Sequence, residues 1–340
     1  MFKPLLLAAA VLTLGGLLLF AFNQPDSTSA ERSGTPIVRK LDTGQLVRIE
    51  IAGAGGNLVL VQNDAGWVEE ESSYPAQVES ITQLFLTLTA TVVGDQVTDN
   101  LERHERFQLL APPQALAERD SEKHATSLRL LETSGAPLLS LLAGKSRDQG
   151  QGQYIRFADD SEVYLIPELL SLSEDQTDWL DTELLNLDEA LFRSIRITQS
   201  NGEELHLQRA DENSDWQMDE AEQPLKQSKI STTVHRVKSL SFEQLLEVDA
   251  EETRDSLNQA TRIEASLVDQ RTVVIELGEA EIPGGEHAFR LSLTMGESDN
   301  ATVQNSVRAL QARIRGRVFS IRAWQARDLL KKRNDFYESE

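Results

Sequence analysis

Two alternating apolar runs open a pattern that the chain passes through twice. Val47, Ile49 and Ile51 alternate with Arg48 and Glu50. Leu58 to Val61 follows after Gly53-Ala54-Gly55-Gly56-Asn57. Strand side chains point alternately to opposite faces, so a period of two predicts half-buried strands. The glycine-rich turn joins these two as a hairpin. Trp67 and Pro75 come next. Val78, Ile81, Phe85, Leu88 and Val92 then recur at steps of three and four, which gathers them on one helix face. Pro75 suits the first turn of that helix. The second copy has Ile195, Ile197, Leu205 and Leu207 around an Asn201-Gly202 turn, then Trp216, then Pro224. From Trp67 to Trp216 is 149 positions, and from Pro75 to Pro224 the same. Ile230, Val234 and Val237 also stand 149 after Ile81, Phe85 and Leu88.

The correspondence continues. Asp99 to Leu110 reads as a short helix stopped by Pro112-Pro113. Ser127 to Glu132, Leu138 to Leu142, Tyr154 to Phe157 and Val163 to Ile166 read as strands, and Pro167 opens a last helical stretch ending near Trp179. Ile263 to Leu267, Val273 to Leu277, Phe289 to Leu291 and Val318 to Ile321 match those four strands. The offset grows from 134 to 155 before the last, so 21 extra residues, near Gly296 to Arg315, predict an added helix. Gly144-Lys145-Ser146 resembles the end of a phosphate-binding loop. That motif would start with a glycine at position 139, which is Leu139, and a strand follows instead of a helix, so the segment reads as a turn. The fold class expected is α+β: two tandem, internally repeated lobes of mostly antiparallel sheet with packed helices, at 41–186 and 187–340. So consistent an offset favours one structural design used twice. Trp67 and Trp216 are then equivalent core residues between sheet and helix, with Phe85 and Val234 as their helix partners.

Ahead of this body, Leu5 to Phe22 is 18 residues without a charge, preceded by Lys3. As a helix it reaches about 27 Å, close to the ~30 Å of a bilayer core. Signal peptides have apolar regions of about 7–15 residues, so an uncleaved transmembrane helix at 1–23 is the favoured reading. Thr28-Ser29-Ala30 would be the cleavage site of the alternative. Residues 24–40 are polar, with Ser, Pro and Gly, and read as a flexible linker. Lys3 marks the cytoplasmic side. The expected location is the bacterial inner membrane, single-pass, with the body in the periplasm.

Charge and chemistry narrow the function. Net charge is -22, which argues against nucleic acid, whose backbone needs a basic footprint. The excess is uneven: residues 301–340 hold nine basic and four acidic side chains. Arg313, Arg315 and Arg317 in that tail are candidate partner-docking residues; the alternative is that they neutralise acids of the same chain. Cysteine is absent, which removes disulfides, thiolate metal sites and a cysteine nucleophile. The five histidines show no metal-ligand spacing, and no Gly-x-Ser-x-Gly elbow occurs. Glu69-Glu70-Glu71 and Asp249-Ala250-Glu251-Glu252 read as solvated edges. No catalytic residue, metal site or cofactor is expected.

Several stretches carry a family likeness: the Ile49-Glu50-Ile51 strand, Gly66-Trp67, Tyr74-Pro75-Ala76 with a following helix, Leu141 to Lys145, and Val163 to Ile166. With the N-terminal anchor, they resemble the family called domain of unknown function 4340 over about Leu41 to Phe319. The resemblance implies a single-pass envelope protein, often encoded beside ABC-2-type permeases and gliding-motility-type auxiliary transporter subunits. It implies no catalytic residues. The expected function is a non-enzymatic, membrane-anchored periplasmic accessory subunit of an ABC-type transport or envelope complex. Its partners would be a permease or auxiliary subunit. Two rivals remain: a ligand binder using a polar, aromatic-lined cleft between lobes, and a carboxylate-dependent hydrolase.

Overall fold

The computed structural model describes residues 32–297 and 300–338. The expected transmembrane helix lies outside them, and among the described residues no helix is long and apolar enough to cross a membrane. The architecture is α+β, built on two large antiparallel sheets.

The first sheet begins with β1 (Leu46–Ala52), β2 (Asn57–Asn63) and β3 (Gly66–Glu69), followed by helix α1 (Val78–Ala90). Then come β4 (Gln96–Thr98), β5 (Thr126–Glu132), β6 (Pro137–Ser146), β7 (Gln153–Phe157) and β8 (Val163–Ile166). A short strand β9 (Glu183–Asn186) leads into β10 (Phe192–Thr198), β11 (Glu204–Gln208), β12 (Gln217–Met218) and helix α2 (Gln227–Lys238). The rest is β13 (Ser239–Ser241), β14 (Leu245–Leu246), helix α3 (Glu251–Asn258), β15 (Ala260–Leu267), β16 (Arg271–Ile282), β17 (Glu286–Met295), helix α4 (Ala301–Ile314), β18 (Val318–Arg322) and helix α5 (Ala323–Leu329).

Strand order in the first sheet is β3-β2-β1-β5-β6-β7-β8-β4, and in the second β12-β11-β10-β15-β16-β17-β18-β14. Element for element, the two orders are the same. So are the irregularities. The register of β1 against β5 slips between Leu46 and Arg48, and that of β10 against β15 slips between Phe192 and Ser194. A bulge of this kind bends a strand at one place, so its recurrence keeps the curvature of both sheets alike. Alternation works as the sequence implies. Ile49 and Ile51 are buried, while Arg48 and Glu50 pair on the other face at 2.6 Å and Glu50 also reaches Arg129 at 2.8 Å.

Four local expectations change. Helix α1 starts at Val78, not at Pro75. Tyr74 to Ala76 is held extended, because Glu69 N–H donates to the Tyr74 carbonyl, Ala76 N–H donates to the Trp67 carbonyl and Gln77 N–H donates to the Trp179 carbonyl. The second lobe repeats this step, with Lys226 N–H donating to the Phe336 carbonyl ahead of α2. The stripe that α1 buries is Ile81, Leu84 and Leu88. Val78 is 57% exposed and Phe85 half-buried, because the helix is rotated toward Leu84; Val92, 43% exposed, lies beyond the helix, which ends at Ala90. Asp99 to Leu110 forms two 3-10 turns, Leu101–Arg103 and Glu105–Phe107, ended by Gln108 in the left-handed region at φ 57°. Likewise only Gln176–Trp179 is helical after Pro167, since the Asp175 side chain accepts from Thr177 N–H and caps so late a start.

Gly144 is the fourth case. It lies inside strand β6, not in a turn. A Cβ there would stand 2.3 Å from the Phe107 carbonyl oxygen. Its counterpart Gly278 would meet the Ser256 carbonyl oxygen at 2.7 Å. In each lobe a connecting segment crosses the sheet so closely that only glycine fits. The 21-residue excess of the second lobe falls between Leu291 and Val318; it holds helix α4, as expected, together with an extension of β17 to Met295.

The expected core residues divide unevenly. Trp216 is 5% exposed and Val234 fully buried in the second core; Trp67 and Phe85 are half-buried at the margin of the first. Replacing Trp216 by Ala should therefore cost about 3–5 kcal/mol in denaturant unfolding, the scale of a buried Trp, and Trp67→Ala clearly less. Gly144→Ala and Gly278→Ala should each cost about 1–3 kcal/mol by overpacking. A neutral result at either glycine would contradict the shared close approach.

Candidate functional site

The residues of most consequence lie where the lobes meet. The loop between β3 and α1 is wound tightly by its own side chains. Glu69, 7% exposed, accepts from Glu71 N–H at 3.0 Å and Ser72 N–H at 2.7 Å. Ser72 Oγ accepts from Tyr74 N–H at 3.1 Å, and Ser73 takes a left-handed φ of 53°. Glu69 is thus a buried turn-capping carboxylate, not the solvated edge that its acidic neighbours suggest. Glu70 fits that description better, pairing with Arg48 at the surface.

This loop projects Tyr74 out of the first lobe and into the second. The ring is fully buried within the second lobe's core. It meets Phe242 edge-on at 5.3 Å between centroids, and Phe319 at 6.2 Å. Its hydroxyl donates to the Asp181 carbonyl at 3.1 Å, so burial leaves no orphaned donor. Burial pushes the Tyr74 hydroxyl well above the usual phenol range, which keeps it neutral and donating at any physiological pH.

Two of the three candidate docking arginines serve the same junction. Arg313 binds the Asp181 carboxylate and the Glu183 carbonyl. Arg317 donates to the Ser73 carbonyl at 3.2 Å and sits 5.0 Å above the Tyr74 ring. Burial holds the Arg317 guanidinium below its ordinary pKa, yet still cationic. Arg315 alone of the three is exposed and reaches no partner among the described residues. Of the two roles weighed for the tail, charge balance within the chain is seen at Arg313, which binds Asp181. The connection runs through the backbone as well: β9, which follows the first sheet in the chain, pairs with β13 of the second lobe.

A cleft of about 700 Å³ remains beside this junction. Val68 and Pro75 line it from the first lobe, and Leu185, Leu293 and Leu310 from the far side. No aromatic side chain lines it. Of its charged side chains, Arg271 pairs with Asp269 at 2.6 Å and Arg313 with Asp181, while Arg317 donates to the Ser73 carbonyl.

Elsewhere four of the five histidines have structural partners. His104 Nε2 donates to the Ser161 carbonyl and His287 Nδ1 to the Gly278 carbonyl, each at 2.9 Å and each buried. His124 Nδ1 accepts from Asp120 N–H at 2.9 Å, and His206 pairs with Asp219 at 2.9 Å. Among the described residues no three His, Asp or Glu side chains converge as metal ligands. The sequence reading missed Glu69 and Tyr74 as junction residues. The signal available was small: a large aromatic two residues after Ser72, ahead of Pro75, whose equivalent in the second copy is Gln223.

Compared with known proteins, residues 38–260 match a family described as domain of unknown function (DUF4340). No curated protein and no solved structure matches the chain.

The junction makes a quantitative expectation. Tyr74→Ala should lower stability by about 3–5 kcal/mol, the cost of emptying a buried aromatic site. Tyr74→Phe, which loses only the bond to Asp181, should cost about 1 kcal/mol. Arg313→Ala should fall near 1–2 kcal/mol, because Asp181 is partly screened by solvent. Denaturant melts of the three variants check the order; Tyr74→Ala at the level of Tyr74→Phe would mean that the ring is not a core element.

Proposed function

We propose that this chain, which belongs to the DUF4340 family, is a non-enzymatic accessory subunit of an ABC-type transport or envelope complex. The uncharged run from Leu5 to Phe22 tethers it to the inner membrane and the chain after it holds the body in the periplasm. The expected linker at 24–40 is not free throughout, since Gly34, Ile37 and Val38 donate to the Val93, Thr91 and Leu88 carbonyls and Ile37 is buried in the first core. The body works by presenting protein surface to a permease or to an auxiliary subunit.

One observation carries this reading over a ligand-binding cleft: Tyr74 of the first lobe is buried in the core of the second. A binder that closes on its ligand moves about a hinge with few packed contacts. Here separating the lobes would expose a Tyr ring, strip two arginines of their acceptors and open the β9–β13 pairing. A rigid two-lobed body suits a scaffold that fixes the distance between two contact surfaces. The cleft beside the junction has its charged side chains engaged within the protein and no aromatic wall, which also favours a scaffold.

The test has two arms. A phosphatase-type reporter joined after Lys40 should be active, as enzymes that mature in the periplasm are, and the mature chain should keep its N-terminus. Cleavage before Glu31 would remove the anchor. The tagged full chain, extracted from membranes in mild detergent, should bring an ABC-type permease with it at fixed ratio; repeated recovery of the chain by itself would overturn the accessory-subunit reading.

A further inference from the structure

Strand β17 runs on past its counterpart in the first lobe, and that extension creates a groove. Register aligns Phe157, the last residue of β7, with Leu291, since each pairs with the equivalent residue of the preceding strand. β17 continues to Met295. Its neighbour β18 pairs with it only from Glu286 to Phe289. Beyond Phe289, one flank of β17 has no strand beside it. Gln311 of α4 donates to the Leu293 carbonyl there at 2.7 Å, so that carbonyl faces the open flank. Alternate residues of an antiparallel strand aim their N–H and C=O to the same side. Leu291 therefore faces the flank too, and among the described residues no hydrogen bond occupies it on that side.

The end of α4 and the turn at Arg315-Gly316-Arg317 form the opposite wall. Between them lies a cavity of about 820 Å³. Val248, Val274, Leu291 and Ala312 give it apolar surface. Arg290, Arg308 and Arg315 also line it, all three exposed and all three without an ion pair or side-chain hydrogen bond among the described residues. Arg317 is already committed to Ser73 and Tyr74. The one acid on the lining, Glu276, is engaged by Arg262 at 3.4 Å.

Three guanidinium groups without an ion pair among the described residues line one groove on a chain of net charge -22, although Arg290 also has Glu276 opposite it and Glu251 and Asp255 nearby. The three arginines call for an anionic occupant. A flat anionic bilayer is the wrong shape for a concave site, and the acidic body around it would repel that surface within a Debye length of about 8–10 Å. A single small anion would use one or two of the arginines and leave the apolar wall and the strand flank idle. An extended peptide uses all three features: main-chain bonds along the flank, acidic side chains to the arginines and alternate apolar side chains to the wall.

We propose that this groove takes an extended acidic peptide segment of a partner protein, laid along the flank of β17 at Leu291, beside the Leu293 carbonyl that Gln311 holds. This names the chemistry of the partner and rests on the scaffold reading above. It can fail independently, because it is tested on the purified full chain without any transporter.

The probe is a fluorescein-labelled peptide of alternating Glu and Val, titrated into the full chain in zwitterionic detergent and followed by anisotropy. A matched peptide with Lys in place of Glu is the control. The acidic peptide should bind, more weakly as salt rises, and amide exchange at Leu291 should slow. Arg308→Glu with Arg315→Glu should weaken binding by at least about tenfold with an unchanged melting temperature, since both side chains are exposed. Arg308→Gln with Arg315→Gln should weaken it less, and Arg103→Glu, an exposed reversal in the first lobe, should leave it unchanged. Equal binding of the Lys peptide, indifference to the double reversal, or no binding at all would overturn the proposal. So would capture by anionic vesicles through the same arginines without peptide binding. Binding with unaltered Leu291 exchange would overturn the placement along β17.

Discussion

The whole arrangement depends on one aromatic ring standing in the wrong lobe. Tyr74 belongs by chain position to the first lobe, and its ring is fully buried among Phe242 and Phe319 of the second. Withdrawing it would expose apolar surface on both sides and leave a void in a close-packed interior. Everything nearby serves that insertion. Glu69 and Ser72 shape the loop, Asp181 receives the hydroxyl, and Arg317 covers the ring from the solvent side. The loop, the linker at Asp181 and the basic tail are distant in sequence, and the ring gives each of them a common point of attachment.

The asymmetry of a doubled design follows from the same residue. Both sheets have one strand order and matching bulges, and both helices follow an extended step closed by a late 3-10 turn. At the position equivalent to Tyr74 the second copy has Gln223, which is exposed. One lobe thus carries the plug and the other the socket, so the pair is complete at two. The second lobe spends its extra length elsewhere, on the extension of β17 and on α4. That addition makes the groove with its unpaired arginines.

Much of the fold was legible because strands and tandem offsets are local signals. Period-two alternation marks the hairpins, and the growth of the offset locates α4. What failed were features decided by partners far along the chain. Phe85 and Leu84 suit a helix equally; which of them faces the sheet depends on how the helix is rotated against it. Gly144 resembles a turn residue until Phe107 is seen crossing it. Arg313 and Arg315 are indistinguishable as charges in a basic tail, although one is bound to Asp181 and the other is exposed. Tyr74 gave little warning beyond its contrast with Gln223, since a burial that joins two lobes leaves no periodicity behind it.

The central claim is that the two lobes are one cooperative body, and heat capacity tests it most directly. Calorimetry of the full chain should give a single unfolding transition whose calorimetric enthalpy equals its van't Hoff enthalpy. Two resolved transitions, or a calorimetric enthalpy near twice the van't Hoff value, would mean that the lobes unfold independently and that the buried Tyr74 does not couple them.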